Sequence, residues 1–160
     1  MVKEPATKVL FKSGAVFKGT LILKDLKGTP EKPFIVDIYG GSERARFEGT
    51  GGEQVVLIQD DNIRFRNIFV TNKTGKRGMY IRAIESGAKK NIEVTGCRFE
   101  EINWAGDAAF VGVSPTKLDI RAICSDANYN KAFGGIVIET VAKEKGPGSV
   151  SYTHLRAHET

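Results

Sequence analysis

Cysteine and histidine each occur only twice in the 160 residues. Cys97 and Cys124 have neither the C-x-x-C spacing of a redox or zinc site nor the density of a disulfide scaffold, so both read as small buried side chains. No apolar run approaches the roughly 18 residues of a membrane-spanning helix. The opening MVKEPATKVLF lacks the long apolar stretch of a signal peptide. Long amphipathic helical periodicity is absent as well. No Asn-Gly or Asp-Gly joins neighbouring strand-like runs, which argues against a hairpin-built β-sandwich. Charge of one sign is not concentrated anywhere: 24 Lys+Arg stand against 19 Asp+Glu, a net of +5, and the basic residues are scattered. Without clustered cations and interleaved aromatics a nucleic-acid surface is not expected, although the net field still favours anionic partners.

What the chain does contain is a repeat. Residues 62–72 read NIRFRNIFVTN and residues 91–101 read NIEVTGCRFEE, so Ile63, Phe65, Ile68 and Val70 fall on Ile92, Val94, Cys97 and Phe99. Each copy alternates apolar and polar positions, breaks phase at one residue (Asn67 or Gly96), and alternates again. Inward positions 65 and 68 are therefore three apart, which predicts a corner between two strands. Asn and Gly are the residues that best tolerate the left-handed backbone of such a corner. The repeat distance, 91 − 62 = 29, lies in the range of solenoid coils. Further strand-like runs occur at KVLF, GTLIL, PFIVDIYG, QVVLIQD, GMYIRAI, KLDIRAI and GGIVIET, separated by Gly, Asn, Asp, Pro and Lys. The expected fold is all-β with few or no helices, a solenoid whose coils are stable only when stacked.

These residues carry a family resemblance. VLFKSGAVFKGTLILKDLKGTPEKPFIVDIYGGSERARFEGTGG, with NIRFRNIFVTN and GGIVIET after it, resembles the N-terminal part of a right-handed parallel β-helix protein of the pectin-lyase-like superfamily, over about residues 8–145. The resemblance implies a secreted, periplasmic or cell-surface bacterial protein. It also implies activity on an acidic polysaccharide as a lyase or glycoside hydrolase, with a non-catalytic adhesin or glycan-binding protein as the alternative, because this fold hosts many activities. The complete protein would be a monomer with neither nucleic acid nor membrane as partner, and Ca²⁺ is conceivable there as a cofactor.

The two histidines, His154 and His158, have an H-x₃-H spacing that zinc sites use on helices. They fall where the strand-and-turn pattern has stopped, however, and VSYTHLRAHET resembles translated sequencing-adapter read-through. The expected organisation is a partial β-helix domain over 1–148, truncated at its C-terminal side, and a non-native tail over 149–160 whose histidines bind no metal. The cut is expected to leave the fragment inactive and, through its open strand edges, prone to self-association.

Candidate substrate-binding residues lie on GMYIRAI and GGIVIET, assigned to one sheet. If Met79 and Ile81 point inward with Ile136 and Ile138, then Tyr80, Arg82 and Glu139 point out. An aromatic ring, a cation and a carboxylate on one face suit a sugar groove. Trp104, Asp107, Asp126 and Tyr129, in the loop-like NWAGD and SDANYN stretches, could line a cleft. Gln59–Asn62 (QDDN) offers oxygens to a cation but reads more simply as a turn. GGSERARFEGTGG lacks the Gly-Lys-Ser/Thr ending of a phosphate loop, and NKT at 72–74 is a glycosylation sequon by pattern. No residue is assigned a catalytic role.

Overall fold

A computed structural model describes residues 7–83, 87–102 and 134–139. Within them the alternation of side chains resolves into short strands: β1 (Lys8–Lys12), β2 (Val16–Lys18), β3 (Leu21–Leu23), β4 (Phe34–Tyr39), β5 (Ala45–Glu48), β6 (Gln54–Ile58), β7 (Ile63–Arg66), β8 (Ile68–Asn72), β9 (Arg77–Ile81), β10 (Ile92–Thr95), β11 (Arg98–Ile102) and β12 (Gly134–Ile138). No helix occurs among the described residues.

Each strand from β1 to β9 pairs in parallel with the third strand after it. Three sheets result, β1-β4-β7-β10, β2-β5-β8-β11 and β3-β6-β9-β12. The described residues wind as a parallel β-helix with four strands in each sheet, the architecture expected from the repeat. The predicted stacking is present: Ile92 lies opposite Ile63, Val94 opposite Phe65, and Phe99 opposite Val70. Cys97 precedes the Arg98–Phe69 partners by one residue and packs against the core, continuing that register toward Ile68.

The corner residues behave as their chemistry requires. Asn67 has φ +56° and Gly96 φ +62°, both in the left-handed region. A Cβ on Gly96 would sit 2.5 Å from Asn67 Oδ1, so glycine above asparagine is the pair that fits. A second corner is built the same way by Asn62 and Asn91, at φ +56° and +55°. Asn91 Nδ2 donates to Asn62 Oδ1 at 2.8 Å, and Asn62 Nδ2 donates to the Gly28 carbonyl at 2.8 Å. A side-chain ladder thus runs along the turn and satisfies polar groups that would otherwise be buried unpaired.

Between the sheets lies one apolar core, centred on Val36, Val56, Ile58, Ile63, Phe65, Ile68, Val70 and Met79, all fully buried. At its first-coil end Phe11 makes edge-to-face contacts with Phe17 and Phe47 at 4.9 and 4.7 Å, while Phe17 stays partly exposed. Coil length is not constant. In the first sheet the register offsets are 63 − 34 = 29 and 92 − 63 = 29, whereas Ala45 pairs with Ile68 after only 68 − 45 = 23 residues. The difference arises at one corner: from Val36 to Ala45 the chain runs 45 − 36 = 9 residues, whereas between their partners Phe65 and Ile68 it runs 68 − 65 = 3. Strand β5 had no separate place among the strand-like runs of the sequence because its flanks are a long glycine-rich turn. KLDIRAI, Cys124, the 149–160 tail and both histidines lie outside the described residues.

Candidate functional site

The third sheet carries the residues expected to face a ligand. In its register Ile22, Leu57, Tyr80 and Val137 form one rung, and the flanking positions Leu23, Ile58, Met79 and Ile81 are buried in the core. Alternation therefore turns Tyr80 outward, and Ile22 at the end of the same rung is 58 % exposed. Ile136 and Ile138 stack on Met79 and Ile81 as expected, although Ile138 stays exposed, β12 being the outermost described strand of its sheet. Strand β9 ends at Ile81, and Arg82 extends it by donating its N–H to the Ile58 carbonyl at 2.9 Å.

Tyr80 and Glu139 are joined directly. The phenol donates to Glu139 Oε1 at 2.7 Å, and the Ala83 N–H donates to Glu139 Oε2 at 3.1 Å. The backbone fixes this geometry, because the Glu139 N–H donates to the Ile81 carbonyl at 2.9 Å. Arg77 completes the arrangement with its guanidinium 4.2 Å from the Tyr80 ring centroid, in cation–π range. Its Nη1 donates to Gln54 Oε1 at 3.2 Å and lies 3.7 Å from Glu53 Oε2, and only 8 % of the side chain is exposed. Lys76 Nζ donates to Glu53 Oε1 at 2.9 Å.

These contacts set the protonation states. Burial raises the Tyr80 pKa above its ordinary value, and the hydrogen bond to Glu139 and the charge of Glu139 raise it further. The phenol therefore keeps its proton at neutral pH and acts as a donor, not as a base. Glu53 is held below the usual carboxylate range, first by the hydrogen bond from Lys76 and then by its charge, so it stays ionised. Tyr80, Glu139 and Glu53, with the charge of Arg82 acting on Tyr80 and Glu53, make a polar, aromatic-bearing face over the buried Arg77. Such a face can bind hydroxyl-rich or anionic groups.

Arg77 was not among the residues singled out from the sequence. Its partner Gln54 lies 77 − 54 = 23 residues away, off the 29-residue repeat, and only the shorter winding from β6 to β9 brings the two together.

The remaining candidates among the described residues have structural duties. Asp60 Oδ2 accepts the Leu26 N–H at 2.6 Å, Asp60 Oδ1 accepts the Asp61 N–H at 2.8 Å, and Asp61 Oδ1 accepts the Lys90 N–H at 2.9 Å. Together with the Asn62 ladder these bonds make QDDN a turn that ties successive coils. Among the described residues no group of three or more His, Cys, Asp or Glu could hold a metal ion. Asn72 of the sequon is 1 % exposed and donates through Nδ2 to the Arg77 carbonyl at 2.8 Å and the Gly52 carbonyl at 3.3 Å. An amide so enclosed is inaccessible in the folded chain. Trp104, Asp107, Asp126 and Tyr129 lie outside the described residues.

Burial pushes the Cys97 thiol up to about 11, making it an inert core residue. Its folded pKa exceeds its unfolded one, so its contribution to stability is complete below the unfolded value and is lost as pH rises. Denaturant titrations should show that loss between pH 9 and about pH 11, by up to about 2 kcal/mol. A Cys97→Ala variant should lack that component of the decline. Matching pH profiles for the two proteins would refute the assignment.

Comparison of the chain with protein-family models, with curated proteins and with solved structures returned no match.

Proposed function

We propose that the chain is part of a carbohydrate-active parallel β-helix protein whose third-sheet face binds an acidic polysaccharide. The observation that carries this reading is the outward Tyr80, stacked under Arg77 and hydrogen-bonded to Glu139, with the charge of Arg82 acting on its phenol. A flat aromatic surface suits the apolar face of a sugar ring, carboxyl oxygens accept from its hydroxyls, and a cation on the same strand neutralises a uronate. Elimination is the leading reaction for the complete protein. There Arg82 would offset the uronate carboxylate while a base supplied by the rest of the protein removes the neighbouring proton. Hydrolysis by paired carboxyl groups is the competing chemistry.

Adhesion without catalysis is the second reading. It is favoured by one observation, that Tyr80 retains its proton and cannot itself serve as that base near neutral pH. Secretion and a bacterial source belong to the same proposal and rest on the sequence resemblance.

Testing requires a panel of pectic and glycosaminoglycan polymers, with binding, ultraviolet-absorbing unsaturated products and new reducing ends followed separately. Binding to uronate-containing polymers but not to neutral ones is expected, with Arg82→Ala weakening it by about tenfold, the worth of one charge-assisted hydrogen bond. Unsaturated products would identify a lyase, reducing ends alone a hydrolase, and binding with neither an adhesin. Equal affinity for neutral and acidic polymers would overturn the uronate reading.

A further inference from the structure

The main chain of Arg77 is gripped from both sides. Its N–H donates to the Glu53 carbonyl at 2.8 Å, beside the Lys76 N–H, which donates to the same oxygen at 3.1 Å. Its own carbonyl accepts from Asn72 Nδ2 at 2.8 Å, and that nitrogen also donates to the Gly52 carbonyl at 3.3 Å. One buried amide thus joins two stacked turns, residues 49–53 before β6 and 73–76 before β9. The turns are shaped around it, since a Cβ on Gly49 or on Gly75 would collide with the Asn72 amide. Asn72 Oδ1 is buried with no hydrogen-bond partner among the described residues, whereas Nδ2 faces two carbonyls. Donation is therefore what the side chain contributes here.

We infer that Asn72 is a positioning residue of the Tyr80 face, fixing the Arg77 backbone so that the guanidinium stays stacked on the ring. At 1 % exposure it can touch no ligand itself. Its effect on a ligand rests on the Tyr80 face being the binding surface proposed above, but its effect on the ring does not. Without the amide, the Arg77 and Gly52 carbonyls lose a donor and the two turns are free to shift against each other. Tyr80 then keeps the tether from its hydroxyl to Glu139 but loses the cation 4.2 Å from its ring centroid.

The test compares Asn72→Ala with Asn62→Ala in the full chain, folding checked by circular dichroism. Asn62 is the control because it is a corner amide between β6 and β7 whose Nδ2 bonds a different turn, at Gly28. In the unaltered chain, NMR should show slow solvent exchange of the Asn72 side-chain amide protons and Arg77 side-chain protons shielded by the Tyr80 ring. Asn72→Ala should abolish the shielding. It should also raise the Tyr80 pKa further, because burial and Glu139 hold the phenol up while Arg77 and Arg82 pull against them. Affinity for a uronate polymer should fall about fivefold, the worth of a cation–π contact. Asn62→Ala should lower stability and leave all three readouts unchanged. Should no polymer bind the unaltered chain, the functional reading falls and the two ring signals alone decide the role of Asn72. Rapid exchange of the Asn72 amide, an unshielded Arg77 in the unaltered chain, any readout unmoved by Asn72→Ala, or equal effects of the two substitutions would each overturn the inference.

Discussion

Replacing Phe65 by alanine is expected to cost about 3–5 kcal/mol, the range for a large aromatic removed from a packed core. Phe65 is fully buried in β7, stacked between Val36 of β4 and Val94 of β10. Its ring is therefore core for three coils at once. A solenoid has few long-range contacts to compensate, since each coil touches only its neighbours. Against a total stability of roughly 5–15 kcal/mol, the loss should bring the denaturation midpoint down steeply and could separate the unfolding of the outer coils from that of the centre. The control is Val94→Ala, in the half-buried terminal strand β10, which should cost clearly less. Equal costs at the two positions, measured by chemical denaturation, would contradict the picture of a core that is closed in the middle and open at the ends.

Gly78→Val is expected to detach β12 and dismantle the candidate site while the inner coils remain folded. A Cβ at Gly78 would lie 2.6 Å from the Gly135 carbonyl oxygen and 2.8 Å from Phe99 Cδ1. One obstacle is main chain in the neighbouring strand and the other is a ring in the core, so neither yields cheaply. Overpacking of this kind costs about 1–3 kcal/mol. Because β12 is paired on one side only among the described residues, releasing it relieves the clash most directly. Hydrogen exchange should then lose protection at the Glu139 amide, which donates to the Ile81 carbonyl, by on the order of 100-fold at the upper end of that cost. Tyr80 should lose its Glu139 partner with it, and its phenol pKa should fall toward the ordinary value. Unchanged protection at Glu139 would show that the third sheet accepts the side chain.

The fold was legible because two consecutive coils happen to be of one length. Asn62 and Asn91, Asn67 and Gly96, and the four inward pairs around Phe65 recur at a single offset, and left-handed corners have few residues that suit them. Alternation on GMYIRAI and GGIVIET sufficed to turn Tyr80 outward, since burial of Met79 and Ile81 leaves it no other face.

Other features could not be read this way. Arg77 stacks on Tyr80 and reaches Gln54 and Glu53 only because Gln54, opposite it in register, sits 23 residues before it, and turn length sets that spacing where side-chain periodicity cannot. The same is true of Asn72, whose sequon is a surface motif by pattern yet is closed under the Gly52 and Arg77 carbonyls. Local chemistry, the alternation of apolar side chains and the tolerance of Asn and Gly for positive φ, determined strands, corners and the inward face. Which distant residues share a rung, and hence which charges meet an aromatic ring, which acids bind backbone amides and which thiol is too buried to ionise, was decided by stacking. Register between coils is a sum over every intervening turn, and no single stretch of sequence contains it.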